Sequence, residues 1–236
     1  HGDGESPMTR NPLDEPGVDV SEGNFLLAID GKEVNAANPP LKWLQNKAGK
    51  VVTVTVNSTP SMTGAKTFKV RPLPSEEGLR YQDYVETNRK LVDKLSGGKI
   101  GYVHVPNTAT EGMTGFMKGY YSQSHKQALI IDERFNGGGF IPTFFIERLK
   151  REVQSGFKAR YGGEIGFPTQ SVNGPTCMLI NEYAGSGGDM FPYLYKSNKI
   201  GKVFGRRTWG GLVGISGGIP LIDRGGFTVP GFGLYD

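Results

Sequence analysis

From Lys99 onward, short apolar runs of strand-like composition alternate with stretches of helical period, and two of the runs lead straight into glycine clusters. Residues 100–105, 128–132 and 177–180 read as strands, and Val203 and Phe204 end another. Residues 112–123, 141–153 and 189–196 read as the helices that follow them. Neighbouring parallel strands need a crossover, and a helix is the usual one. The alternation therefore points to α/β layers on a largely parallel sheet. Residues 210–218 read as a long glycine loop.

The first part of the chain is patterned differently. Residues 1–23 have no strong period. Residues 25–29 form an apolar strand that runs into Asp30-Gly31, a strong hairpin signal. Residues 39–47 read as a short helix with Pro39 and Pro40 in its first turn. Residues 51–57 (VVTVTVN) alternate as a strand does, and 67–71 form another after a turn-rich loop at 58–64. Residues 81–95 read as a helix with Tyr84, Leu91 and Leu95 on one face, stopped by Gly97-Gly98. The expected division is a small β-rich domain at 1–73, a linker helix at 74–98 and an α/β domain at 99–236.

Composition mostly excludes. The 36 glycines in 236 residues have no period of three, so collagen is out. The lone Cys177 makes neither an internal disulfide nor a zinc site, which favours a reducing, cytoplasmic setting. No metal or cofactor motif is present, so none is expected. There is no run of 18 apolar residues and no signal-peptide pattern, so no membrane is expected. Net charge is +4, but the signs are interspersed, as in Glu147-Arg148-Leu149-Lys150-Arg151-Glu152. That describes a solvated helix face, and no nucleic acid is expected.

Chemistry in open α/β sheets sits beyond the carboxyl ends of the strands. Two loops qualify. Asp132-Glu133-Arg134-Phe135-Asn136-Gly137-Gly138-Gly139-Phe140 can turn backbone N–H groups into a cavity and donate to an oxyanion. Asn181-Glu182-Tyr183-Ala184-Gly185-Ser186-Gly187-Gly188-Asp189 puts a serine at a strand-to-helix turn, where its hydroxyl is unobstructed and a helix N-terminus favours developing negative charge. A serine among glycines is also an ordinary turn. Neither loop ends in the Lys-Ser/Thr of a phosphate cradle, and Gly-x-Ser-x-Gly is not matched. The three histidines supply no evident base: His1 is terminal, His104 lies within a strand, and His125 ends a polar run. The residues alone describe a nucleophile and an oxyanion loop without a base.

At these loops the chain resembles the tricorn protease family, the branch of serine peptidases related to C-terminal processing proteases. Four segments carry the resemblance: Gly101-Tyr102-Val103-His104-Val105-Pro106, the loop from Asp132 to Gly139, the loop from Asn181 to Asp189, and Gly205-Arg206-Arg207-Thr208-Trp209-Gly210-Gly211. Asn11-Pro12-Leu13-Asp14-Glu15-Pro16-Gly17-Val18-Asp19-Val20 and Leu26-Leu27-Ala28-Ile29-Asp30-Gly31 resemble the PDZ domain that precedes the catalytic core in that family. The resemblance implies a truncated PDZ-like domain followed by a ClpP/crotonase-like α/β peptidase core. It implies Ser186 as nucleophile, with the N–H groups of Gly139 and Gly187 as the oxyanion hole. C-terminal processing proteases keep the lysine of a Ser–Lys dyad in a Thr-Phe-Gly-Lys-Gly segment. Here Thr208-Trp209-Gly210-Gly211-Leu212 puts Gly211 at that position, which favours the tricorn arrangement of serine, histidine and glutamate. In that arrangement the histidine lies before the PDZ domain and the glutamate beyond the segment 227–236, so both fall outside these residues.

The expected function is therefore a tricorn-like serine endopeptidase that cuts peptides to short products. The resemblance implies a hexamer, and these residues alone are expected to be inactive. Two alternatives stand beside it. One is a non-catalytic PDZ/peptidase-like module that binds peptides without cutting. The other is a crotonase-like acyl enzyme, for which no coenzyme A site is marked.

Overall fold

The computed structural model describes residues 10–169, 171–172 and 174–235. His1, at the start of the chain, lies outside them. Contacts divide the chain into two compact units, 1–86 and 87–236.

In the first unit, β1 (Phe25–Ile29), β2 (Lys32–Glu33), β3 (Val52–Asn57) and β4 (Lys66–Val70) form an antiparallel sheet of order β2-β1-β3-β4. Asp30 and Gly31 both take positive φ (49° and 73°), the geometry of the tight hairpin turn that Asp-Gly announces. β3 is flanked on both edges, and Val52, Val54 and Val56 are buried. Ile29 and Val70 join Val52 and Val54 in a small core, with Trp43 and Leu44 of α1 (Pro40–Leu44) packed against it. The expected helix at 39–47 is thus confined to five residues. A single helix, α2 (Glu77–Ser96), follows and contains the division between the units. None of its residues is buried, and Leu91 and Leu95 are exposed, so the face they share with Tyr84 is not a core face.

The second unit is built on a parallel sheet of order β10-β9-β6-β5, from β5 (Ile100–His104), β6 (Ala128–Asp132), β9 (Thr176–Ile180) and β10 (Gly201–Gly205). Helices α3 (Thr110–Ser122), α4 (Pro142–Leu149) and α5 (Gly187–Ser197) each follow a strand of this sheet. β6 is central, which is why it reads as an uninterrupted apolar run. The core joins Val103, Leu129, Ile131 and Met178 from the strands to Phe116, Tyr120, Phe145, Phe191 and Tyr195 from the helices. The Phe145 ring lies 5.1 Å from both Phe116 and Phe191.

Two expectations are corrected. α4 stops at Leu149 rather than residue 153, because the Gln154 N–H donates to Phe167 O and the chain has turned into the hairpin β7 (Ser155–Lys158) and β8 (Glu164–Phe167). The glycine loop expected at 210–218 is a strand from Gly214 onward. β11 (Gly214–Pro220) pairs antiparallel with β12 (Gly226–Phe232) through backbone groups, which need no side chain. Glycine serves the pairing there, since a Cβ at Gly214 would run into the Phe232 ring.

Candidate active site

The register sets His104 beside Asp132 and Asp132 beside Leu179, so β5, β6 and β9 end together. The loops that leave them meet. Asn136, wholly buried, is the tie: its Nδ2 donates to Val105 O at 3.1 Å, its Oδ1 accepts from Gly138 N–H at 2.8 Å, and its carbonyl accepts from Gly185 N–H at 3.0 Å. Thr108, also buried, clasps the glycine loop from the other side. Its N–H donates to Gly138 O at 2.8 Å and its carbonyl accepts from Ile141 N–H at 3.0 Å.

Ser186 precedes the first residue of α5 with φ 57° and ψ −117°. A positive φ at a non-glycine residue is strained, and it is the conformation that lifts a serine hydroxyl clear of a sharp strand-to-helix turn. The elbow therefore exists although the Gly-x-Ser-x-Gly pattern does not. Ser186 is exposed, while Gly187, Gly188 and Asp189 behind it are buried. Small size is required all round it. A Cβ on Gly138 (φ 88°) would stand 2.7 Å from the Ser186 Cβ, and one on Gly187 would strike Thr108 Oγ1 and the Gly139 backbone. Among the described residues, no acceptor takes the N–H of Gly139 or of Gly187. The structure thus brings Ser186, Gly139 and Gly187 into one place.

Behind the elbow lie the carboxylates. Asp189 accepts from Gly210 N–H at 2.7 Å and Gly211 N–H at 2.8 Å, which pins the segment after β10 to the first turn of α5. Trp209 N–H donates to Ala184 O at 2.9 Å in the same seam. Gly211, the position of the lysine in the dyad enzymes, is thus a backbone donor. Burial works against charge on Asp132, but Arg134, through two side-chain hydrogen bonds, and the Tyr102 hydroxyl at 2.6 Å outweigh it and hold its pKa below the usual range. Glu133 has no such help. It is wholly buried, neither carboxyl oxygen has a partner, and burial together with Asp189 and Asp132 pushes its pKa to about 10. It is a neutral acid at pH 7.

Of the described histidines, His104 is engaged elsewhere. His104 Nε2 lies 3.0 Å from Arg134 O, and since a carbonyl only accepts, that nitrogen carries the proton. Burial lowers the pKa of the His104 ring. His125 is exposed in the turn after α3. No cluster of three or more His, Cys, Asp or Glu suited to a metal is present among the described residues. No helix among them is long and apolar enough to cross a membrane.

Residues 99–236 match the model of peptidase family S41. The chain belongs to that family. Residues 1–75 match the Tricorn protease PDZ domain. The S41 chain is 35% identical to the tricorn protease of Thermoplasma acidophilum over 99% of its own length and 22% of the relative's. It is 34% identical to a tricorn protease homolog of Saccharolobus solfataricus over 99% of its length and 21% of that protein's. A crystal structure of the tricorn protease superposes with a TM-score of 0.85 at 35% identity, covering 97% of this chain and 22% of that one. The chain therefore spans about a fifth to a quarter of the length of the curated relatives it matches. The mixed α/β fold, with a PDZ-type and a peptidase-type part, is the one the resemblance implies.

Asn136, Thr108, Glu133 and Asp189 were not singled out by the sequence as parts of the site. Their signal is positional: each lies within or beside a segment of the tricorn resemblance, but what each touches is set by strands far apart in the chain.

Proposed function

We propose that these residues carry the nucleophile and oxyanion hole of a tricorn-like serine endopeptidase. The observation that carries the reading is the strained turn at Ser186, backed by Gly138 and flanked by the uncommitted N–H groups of Gly139 and Gly187. In this reading Ser186 Oγ attacks the scissile carbonyl carbon, and its proton passes to a base. The carbonyl oxygen becomes an oxyanion that accepts from both N–H groups. The positive end of α5 favours the same charge. The tetrahedral adduct then expels the amine, which takes the proton from the base, and water releases the acyl group from Ser186.

The base is assigned to a histidine, with a helper glutamate, outside these residues. His104 is unsuited, being buried with a ring nitrogen held at Arg134 O. The same reading takes 1–73 as the PDZ-like domain, 74–98 as linker and 99–236 as the peptidase core. It takes peptides as substrates, a hexamer as the assembly and the cytoplasm as the setting.

The test is covalent labelling of the full-length protein by a fluorophosphonate, wild type against Ser186→Ala. Labelling lost in the variant supports the reading. Equal labelling removes Ser186 from the chemistry, and peptide capture without any labelling of wild type favours the binding module instead.

A further inference from the structure

Thr108 is placed where neither packing nor backbone pairing explains its hydroxyl. It is wholly buried, and its Oγ1 has no hydrogen-bond partner. Its backbone is fully employed on either side of Gly139, through Gly138 O and Ile141 N–H. Its side chain abuts Gly187 and its carbonyl abuts Gly139. A Cβ on Gly187 would run into Thr108 Oγ1 and into the nitrogen and oxygen of Gly139, while a Cβ on Gly139 would run into the Thr108 carbonyl. A buried hydroxyl left unpaired is costly, and valine would fill the same volume without that cost. The hydroxyl thus stands unpaired beside the two backbone groups that also lack acceptors.

We propose that the Thr108 hydroxyl is a third donor of the oxyanion site, unpaired in the free protein and engaged when negative charge forms beside Ser186. A donor that finds its acceptor only in the transition state accelerates the reaction without tightening ground-state binding. The stability lost in the resting protein is then linked to the rate. The proposal rests on Ser186 as nucleophile and adds a residue to that site.

The experiment compares Thr108→Val, Thr108→Ser and Ser186→Ala in the full-length protein. It uses a fluorophosphonate, whose phosphoryl oxygen occupies the oxyanion position, and a fluorogenic peptide amide. Thermal midpoints are measured in parallel. Thr108→Val is expected to label about 100-fold more slowly and to lose kcat by a similar factor with KM unchanged. Its midpoint should equal or exceed that of wild type, because an unpaired hydroxyl has been removed. Thr108→Ser, which keeps the hydroxyl, should stay within about threefold of wild type. Thr108→Val labelling at the wild-type rate while Ser186→Ala is unlabelled overturns this proposal alone. Loss of activity together with a lowered midpoint in Thr108→Val, or equal loss in Thr108→Ser, also overturns it, because packing would then be the cause. Undiminished labelling of Ser186→Ala overturns the nucleophile assignment itself.

Discussion

Replacing Glu133 by leucine is expected to stabilise the second unit, by an amount that grows with pH. Glu133 keeps its proton in the folded chain up to about pH 10, against 4.5 for a free glutamate. Below pH 4.5 both states hold the proton and the group has no pH-dependent effect. Above it the unfolded state releases the proton while the folded state retains it, so folding loses about 1.4 kcal/mol per pH unit until the folded pKa is reached. At pH 7 the accumulated cost is about 3 kcal/mol, and at pH 5 it is under about 1 kcal/mol. Leucine has no proton to lose, and it also removes two unpartnered oxygens, adding a pH-independent gain of about 1–3 kcal/mol. The assay is guanidinium unfolding followed by Trp209 fluorescence in a Trp43→Phe background, so that the signal comes from the second unit. The free-energy gap between Glu133→Leu and its parent should widen by about 3 kcal/mol between pH 5.5 and 7.5. The reasoning would be refuted by a gap that is flat with pH, or by one that narrows as pH rises. Either result would mean that Glu133 is solvated or paired in the folded chain.

Gly138→Ala should destabilise by about 1–3 kcal/mol, from the left-handed φ and the contact with Ser186. It should slow fluorophosphonate labelling by about 100-fold or more, because the elbow is displaced; labelling kinetics beside a chemical melt test both parts. Asp189→Asn leaves one carbonyl oxygen where two carboxylate oxygens accept from Gly210 and Gly211, and should cost about 2–3 kcal/mol. Amide hydrogen exchange should rise at Gly210 and Gly211 while staying unchanged in β1–β4. Tyr102→Phe removes a donor from buried Asp132, whose pKa is held low in the folded chain. A depressed acid contributes stability above its unfolded pKa and loses it as pH falls through the folded one. The variant's deficit, about 1.5–3 kcal/mol at pH 7, should therefore shrink in acid, which urea melts at pH 7 and pH 3 would show.

The inner strand β6 was readable because it lies inside the sheet and so appears as a bare apolar run at Ala128–Asp132. The place of Ser186 was readable because a hydroxyl needs small neighbours, and Gly185, Gly187 and Gly188 are written beside it. The β11–β12 ribbon was not readable. A strand such as GISGGIP pairs through backbone alone and carries little of the alternation that marks a strand. Glu133 was opaque for another reason. In a run reading Asp-Glu-Arg, burial of the middle residue comes from where β6 ends in the sheet and not from its neighbours. Thr108 and Asn136 act across loops dozens of positions apart, a relation that no local window contains.

That reach has a consequence for the chain while it is being made. The turn at Ser186 is held by Asn136 and abuts Gly138, and these two are in turn held by Val105 and Thr108. Contacts so distant in sequence need long loops to be closed first, so they cannot form until the strands that carry them are brought together. A nascent or half-assembled molecule has an ordinary serine at 186, and the strained one comes into being only once the fold closes. On the proposed role of Ser186, assembly of the sheet acts as a safety catch on the hydroxyl.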